Sequence, residues 1–209
     1  MRKLKDSRRP EILDAALAVA AERGLDALSM RAVAQRIGLT PMALYGYFRD
    51  KDELLDAVVG RLLSEIPTPP PGTGWRETFE GLGHGLRGVA ARYPAVLPLL
   101  LTRPAISPAA LRIVDRAYEA LLAAGVAPAD VPRLERMLST FVIGHTLSEV
   151  SGRFGDGTLD PAGRRAQAPP GTIPGHEALA AQLDLPVDWD EEFRTDLRQL
   201  CDFVASLAR

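Results

Sequence analysis

The sequence predicts an all-α protein in two parts. A three-helix unit containing a helix-turn-helix occupies residues 1–66, and a larger helical unit occupies residues 67–209. Three observations carry this reading. Apolar residues recur at three- and four-residue intervals, and no segment sustains the alternation of a strand. Helix boundaries are punctuated, with Ser, Thr or Asp ahead of apolar runs and Gly or Pro behind them. The run Pro67–Gly74 suits neither a helix nor a central strand and marks the division.

The first helix is expected from about Pro10 to Arg23, with Ile12, Ala16 and Val19 inward. Ser29 can cap the next helix, Val33 and Ile37 give it an apolar face, and Gly38 ends it by taking a left-handed backbone. Thr40 and Pro41 start another helix, a hydroxyl for the free N–H groups and then a ring with a suitable φ. Asp50 followed by Glu53 resembles a capping box, opening a helix near Lys51 that buries Leu54, Leu55, Val58, Leu62 and Ile66. Two short helices joined through a glycine turn form a helix-turn-helix, whose second helix can enter the major groove of DNA.

The second part also reads as helices. One spans Trp75–Arg92, a shorter one Pro94–Leu101, and a third runs from Ser107-Pro108 to about Ala124, stopped by Gly125. A long helix from Val131 to about Arg153 is apolar on several sides around Phe141, Val142 and Ile143. Gly155–Gly175 is expected to be a loop. The last helix, capped by Asp188, carries Phe193, Leu197, Leu200, Val204 and Leu207 on one stripe. That stripe can pack within the chain or against a second copy.

The formal net charge of −2 does not announce a nucleic-acid binder. Its distribution says more, because Arg2, Lys3, Lys5, Arg8 and Arg9 are opposed at the N-terminus only by Asp6. Such an arm either contacts phosphates or is a solvated tail. A signal peptide is rejected because Glu11 and Asp14 interrupt the apolar stretch, which then runs into Glu22-Arg23. The apolar run Met137–Ser148 is too short for a membrane helix, so no membrane partner is expected. A lone cysteine, Cys201, rules out an intrachain disulfide framework, and cytoplasmic residence is the default expectation. With three scattered histidines and no Gly-rich phosphate loop, no catalytic constellation stands out. No cofactor and no metal are expected.

Residue identities sharpen the helix-turn-helix. The run Ala-Leu-Ser-x-Arg-x-Val-Ala at residues 27–34, then Gly38, Leu44-Tyr45, Tyr47-Phe48, Lys51 and Leu54-Leu55, resembles the DNA-binding head of the tetracycline-repressor (TetR) family. The resemblance covers roughly the first 66 residues closely and the remainder loosely, through Trp75, Arg92-Tyr93, Thr102-Arg103-Pro104 and the Phe141/Gly144/Leu147 spacing. It implies a DNA-binding domain followed by a ligand-binding and dimerisation domain. It also implies a homodimeric repressor released from a palindromic double-stranded operator by a small-molecule effector. An activator or a non-induced regulator of the same fold stays open. On this resemblance Arg31, Thr40, Pro41, Met42, Ala43, Tyr45, Gly46, Tyr47 and Lys51 form the DNA-binding set. The reading helix offers few hydrogen-bonding side chains, which favours thymine-methyl contact and shape readout.

The ligand-binding set implied by the resemblance is Leu82, Leu86, Leu99, Thr102, Arg103, Phe141, His145 and Ser148. Arg103 also has a local reading, a cation that complements the end of a helix before Pro104 stops it. His84 and His145 can be packed side chains or cavity contacts. The tetracycline-binding members hold a magnesium–drug chelate with a histidine, a glutamate and an asparagine. Those positions fall here on Leu99, Ser148 and Leu82. A magnesium–tetracycline ligand is therefore not expected, and the effector is expected to be largely apolar.

Overall fold

The regular elements of the computed structural model are all helical among the described residues, which are 2–70, 72–153 and 161–208, without the side chains of residues 2–7 and 161. The head contains α1 (Arg2–Arg23), a 3-10 turn (Leu25–Ala27), α2 (Met30–Arg36), α3 (Pro41–Tyr45) and α4 (Lys51–Leu63). The body contains α5 (Trp75–Arg92), a 3-10 turn (Pro94–Val96), α6 (Leu99–Thr102), α7 (Pro108–Ala123) and α8 (Val131–Val150). It continues with α9 (Pro161–Ala166), α10 (Pro174–Ala178), α11 (Ala180–Leu183) and α12 (Trp189–Ser206).

Side-chain caps set both helices of the helix-turn-helix and the long helices α4, α7 and α12. Ser29, Thr40 and Ser107 accept hydrogen bonds from the backbone N–H groups of Ala32, Ala43 and Ala110. Asp50 accepts from Glu53 N–H, and Asp188 accepts from the N–H groups of Asp190 and Glu191. Glu53 completes its half of the box one residue early, accepting at 2.8 Å from Arg49 N–H and not from Asp50. Gly38, Gly125 and Gly152 stop helices at φ of 68°, 88° and 74°, the left-handed region where a Cβ is strained.

Four sequence expectations change. Helix α1 begins at Arg2, not near Pro10, so the basic N-terminal run extends the helix. Pro10 removes one N–H from the helical ladder, and the turn on its N-terminal side still forms. The helix expected over Pro94–Leu101 is split into a 3-10 turn and α6, with Pro98 at the joint. The segment read as a loop contains α9 and the start of α10, while its residues 155–160 lie outside the described set. On α12 the buried stripe is Phe193, Leu197, Cys201 and Val204, and Leu207 is exposed. Burial pushes the Cys201 thiol up to about 11, which keeps it protonated at neutral pH.

Head and body share one continuous core, from Ile12 on α1 to Val204 on α12. Helix α4 joins them, packing on α1 in the head and on α5, α6 and α7 in the body. The Pro-rich run between them is pinned. Arg116 of α7 donates to the Pro69 carbonyl at 3.2 Å, and a Cβ at Gly85 of α5 would meet Pro67 Cδ at 3.0 Å. Gly83 gives α12 similar access, because a Cβ there would lie 2.9 Å from Leu197 Cδ2. Each helical glycine costs about 1 kcal/mol against alanine, so close packing offsets a propensity loss along α5.

Gly60 makes the tightest approach across the joint, since a Cβ there would lie 2.8 Å from Ser107 Cβ. Gly60→Ala must therefore move the residue that caps α7. We expect it to lower unfolding free energy by about 1–3 kcal/mol in urea titration. Stability equal to the parent would show that α4 and α7 can separate there without cost.

Candidate nucleic-acid interface and effector cavity

Helices α2 and α3 meet through Ile37, Gly38 and Leu39, and Leu44 anchors α3 with no exposed surface. Phe48 is equally buried just beyond α3. With Leu44 turned inward, the start of α3 faces solvent: Thr40, Pro41, Met42 and Ala43 are all exposed, Met42 by 80%. Arg31 is exposed in the first turn of α2, and Tyr45 and Gly46 are exposed at the end of α3. Lys51 is exposed in the first turn of α4, beside the positive end of that helix dipole. Tyr47 is half-buried against the core. Thr40 spends its acceptor on the cap of α3, leaving its hydroxyl hydrogen to donate.

Arg9, read from sequence as part of a basic arm, is committed to the fold. Its guanidinium lies 4.3 Å from the Phe48 ring centroid, donates to the Tyr47 carbonyl at 2.9 Å, and sits 3.7 Å from Glu53. It therefore fixes α1 against the turn between α3 and α4. Arg8 pairs with Glu11 at 3.3 Å. No local pattern in the sequence separates Arg9 from the other basic residues around it.

The body carries a half-open cavity of about 290 Å³ between α5, α7 and α8. Phe79, Leu82 and Leu86 line it from α5, Ile113, Ala117 and Leu121 from α7, and Leu138, Val142 and Ile143 from α8. Its polar side chains are Arg103, Glu135 and Ser139. Three of the eight residues expected from sequence, Leu82, Leu86 and Arg103, are in this wall. The other five lie outside it. Leu99 is buried in the core, Thr102 is exposed with its hydroxyl 3.3 Å from the Pro98 carbonyl, and Phe141 and Ser148 are on another side of α8. His145 packs on Phe193 of α12 at 4.9 Å between ring centroids, with Nδ1 3.9 Å from an Asp196 carboxylate oxygen. His84 packs edge-on against Phe193 as well, at 5.4 Å.

Arg103 reaches from the cavity wall to α4. Its Nε donates to Asp56 at 2.7 Å, and one Nη donates to the Asp52 carboxylate at 3.0 Å and to the Asp52 carbonyl at 3.1 Å. The Asp56 hydrogen bond is the main influence holding Arg103 in its charged form. At the other end of α4, Glu65 accepts from Tyr93 at 2.9 Å and Arg92 at 2.6 Å, and pairs with Arg61 at 2.7 Å. Burial and the Glu65 charge both raise the Tyr93 phenol above its usual range. The carboxylates at 52, 56 and 65 had no sequence signal for their partners in the body, because those cations lie 27 to 51 residues away.

An exposed helix-turn-helix joined to a helical body is the arrangement of a class of DNA-binding regulators. Comparison with known proteins agrees. Residues 12–58 match the family model "Bacterial regulatory proteins, tetR family", and residues 67–200 match "Tetracyclin repressor-like, C-terminal domain". A helix-turn-helix transcriptional regulator of Saccharopolyspora erythraea is 30% identical over 95% of this chain and 84% of its own length. The transcriptional repressor DrrR1 of Streptomyces coeruleorubidus is 29% identical over 76% of this chain, which spans only 60% of that relative. Among solved structures, ActR of Streptomyces coelicolor in complex with actinorhodin is similar at TM-score 0.81 and 26% identity, over 96% of this chain and 98% of ActR. BioQ with its double-stranded DNA operator is similar at TM-score 0.68 and 26% identity, over 95% of this chain and 98% of BioQ.

The chain belongs to the tetR family of bacterial regulatory proteins. The relatives it matches are transcriptional regulators, not enzymes. Among the described residues, no helix is long and apolar enough to cross a membrane.

If Lys51 and Tyr47 contact phosphates, as the resemblance implies, their loss should act evenly across sequences. Lys51→Ala should weaken binding to all operator variants alike and reduce the salt slope by about 1. Tyr47→Phe should weaken binding without changing the preferred sequence. A shifted consensus in either variant, by selection from random DNA, would overturn this assignment.

Proposed function

We propose that the chain is a homodimeric repressor that leaves a palindromic operator when a small molecule fills the body cavity. The observation that carries this reading is Arg103, which lines the cavity and also holds Asp52 and Asp56 on the helix that follows the recognition unit. A ligand that displaces the Arg103 segment releases or redirects α4, and α4 is packed on α1. The head is residues 1–66, with Arg31, Thr40–Ala43, Tyr45, Gly46, Tyr47 and Lys51 on DNA, and the body is residues 67–209.

The ligand in ActR and the operator in BioQ support the two halves of the reading, in proteins of the same fold. Dimerisation is supported by exposed apolar side chains on two of the body's long helices, Met137 and Phe141 on α8 and Phe203 on α12. Two heads related by a two-fold axis read half-sites one helical turn apart, about 34–36 Å. The ligand favours release only through differential affinity, a coupling of about 1–3 kcal/mol being typical.

Footprinting on DNA around the protein's own gene, across a salt series, tests the reading. The expected result is a protected near-palindrome lost steeply as salt rises. No protection there, and no enrichment from unselected genomic fragments at low salt, would sink it. Arg103→Ala removes the same tie on α4 and should weaken operator binding even without effector. Its response to effector should fall by about 5- to 150-fold, the range of the coupling itself.

A further inference from the structure

The geometry points to an effector that is a compact apolar molecule bearing one protonated amine, with the amine held by Glu135. This rests on the reading of the cavity as the effector site. The wall is hydrocarbon except for three side chains, and these are not equivalent. Arg103 is already paired with Asp52 and Asp56, so its charge is answered inside the protein. Ser139 contributes a hydroxyl four residues along α8 from Glu135, and that hydroxyl also reaches the Arg136 carbonyl at 3.3 Å. Glu135 forms no ion pair among the described residues.

A carboxylate against an apolar wall is costly without a cation. Burial accordingly raises the Glu135 carboxyl above the usual range, against smaller opposing effects of Ser139 and Arg136. A ligand ammonium supplies the missing charge and donors. A neutral ligand leaves the acid as it is, and an anionic one adds repulsion. The volume, about 290 Å³, is at the small end for ligand cavities and suits one fused ring system.

Three matched probes separate the possibilities: 1-naphthylmethylamine, 1-naphthylmethanol and 1-naphthoate, titrated calorimetrically into the full chain at pH 7. The amine should bind about tenfold or more tighter than the alcohol, and the carboxylate weakest. Glu135→Gln should abolish the amine's advantage while leaving the alcohol unchanged. Leu86→Trp should weaken amine and alcohol alike by filling the cavity, with Ala117→Leu as the alternative if that variant does not fold. Alcohol binding as tightly as amine, or an amine advantage that survives Glu135→Gln, overturns the inference while leaving the cavity reading intact. Binding that neither cavity-filling variant weakens, or no binding by any probe, overturns the cavity reading and this inference with it.

Discussion

The Arg103–Asp56 ion pair closes a 2.7 Å contact between the wall of a cavity and the helix that leaves the recognition unit. Both side chains are more than three-quarters covered, which sets the pair apart from exposed ones worth about 0–1 kcal/mol. Asp52 adds a second, more exposed acceptor one turn earlier on α4. With Glu65 gripped by Tyr93 and Arg92 at the far end, α4 is tied to the body at both ends. Its last turn is set by Gly60, which lets the start of α7 approach to near contact. A change in the cavity that shifts Arg103 therefore acts on a nearly rigid rod.

The head depends on α4 in turn. Leu54, Leu55, Val58 and Leu62 are buried in the same cluster as Ile12, Ala16 and Phe48. Arg9 closes this arrangement from the other side, stacking on Phe48 and holding the Tyr47 carbonyl. The exposed start of α3 is thus supported from beneath by Leu44 and from behind by α1. That support matters for a helix of five residues, which is too short to be stable alone.

Local chemistry made much of this legible in the sequence. Ser29, Thr40, Asp50, Ser107 and Asp188 cap the helices whose starts they announce, because a cap is decided within three residues. What escaped was set by distant partners. Nothing near Arg9 foretold its place over Phe48, and nothing near Asp56 foretold Arg103. The cavity wall shows the same limit. On α8 the wall is formed by Glu135, Leu138, Ser139, Val142 and Ile143, spaced three, four, seven and eight along one face. Phe141, His145 and Ser148 share a neighbouring face, and His145 there meets Phe193 of α12. The resemblance pointed to α8, which does line the cavity, but not to the face that does so, and Glu135 escaped notice because a charge beside an apolar stripe ordinarily points to water.

The contacts between head and body bear on how such proteins exchange parts. A cut in the Pro-rich run is the natural place to graft this head onto a foreign body. It would carry away Asp52, Asp56 and Glu65 while leaving Arg92, Tyr93 and Arg103 behind. The recipient would gain three acids at its seam, with Gly60 opening a gap shaped for one particular serine. A hybrid regulator of this kind needs Arg92, Tyr93, Arg103 and Ser107 transplanted with the head. Recombination that respects the chain's visible boundary, but not those residues, yields a hybrid without the ion pairs that tie head to body.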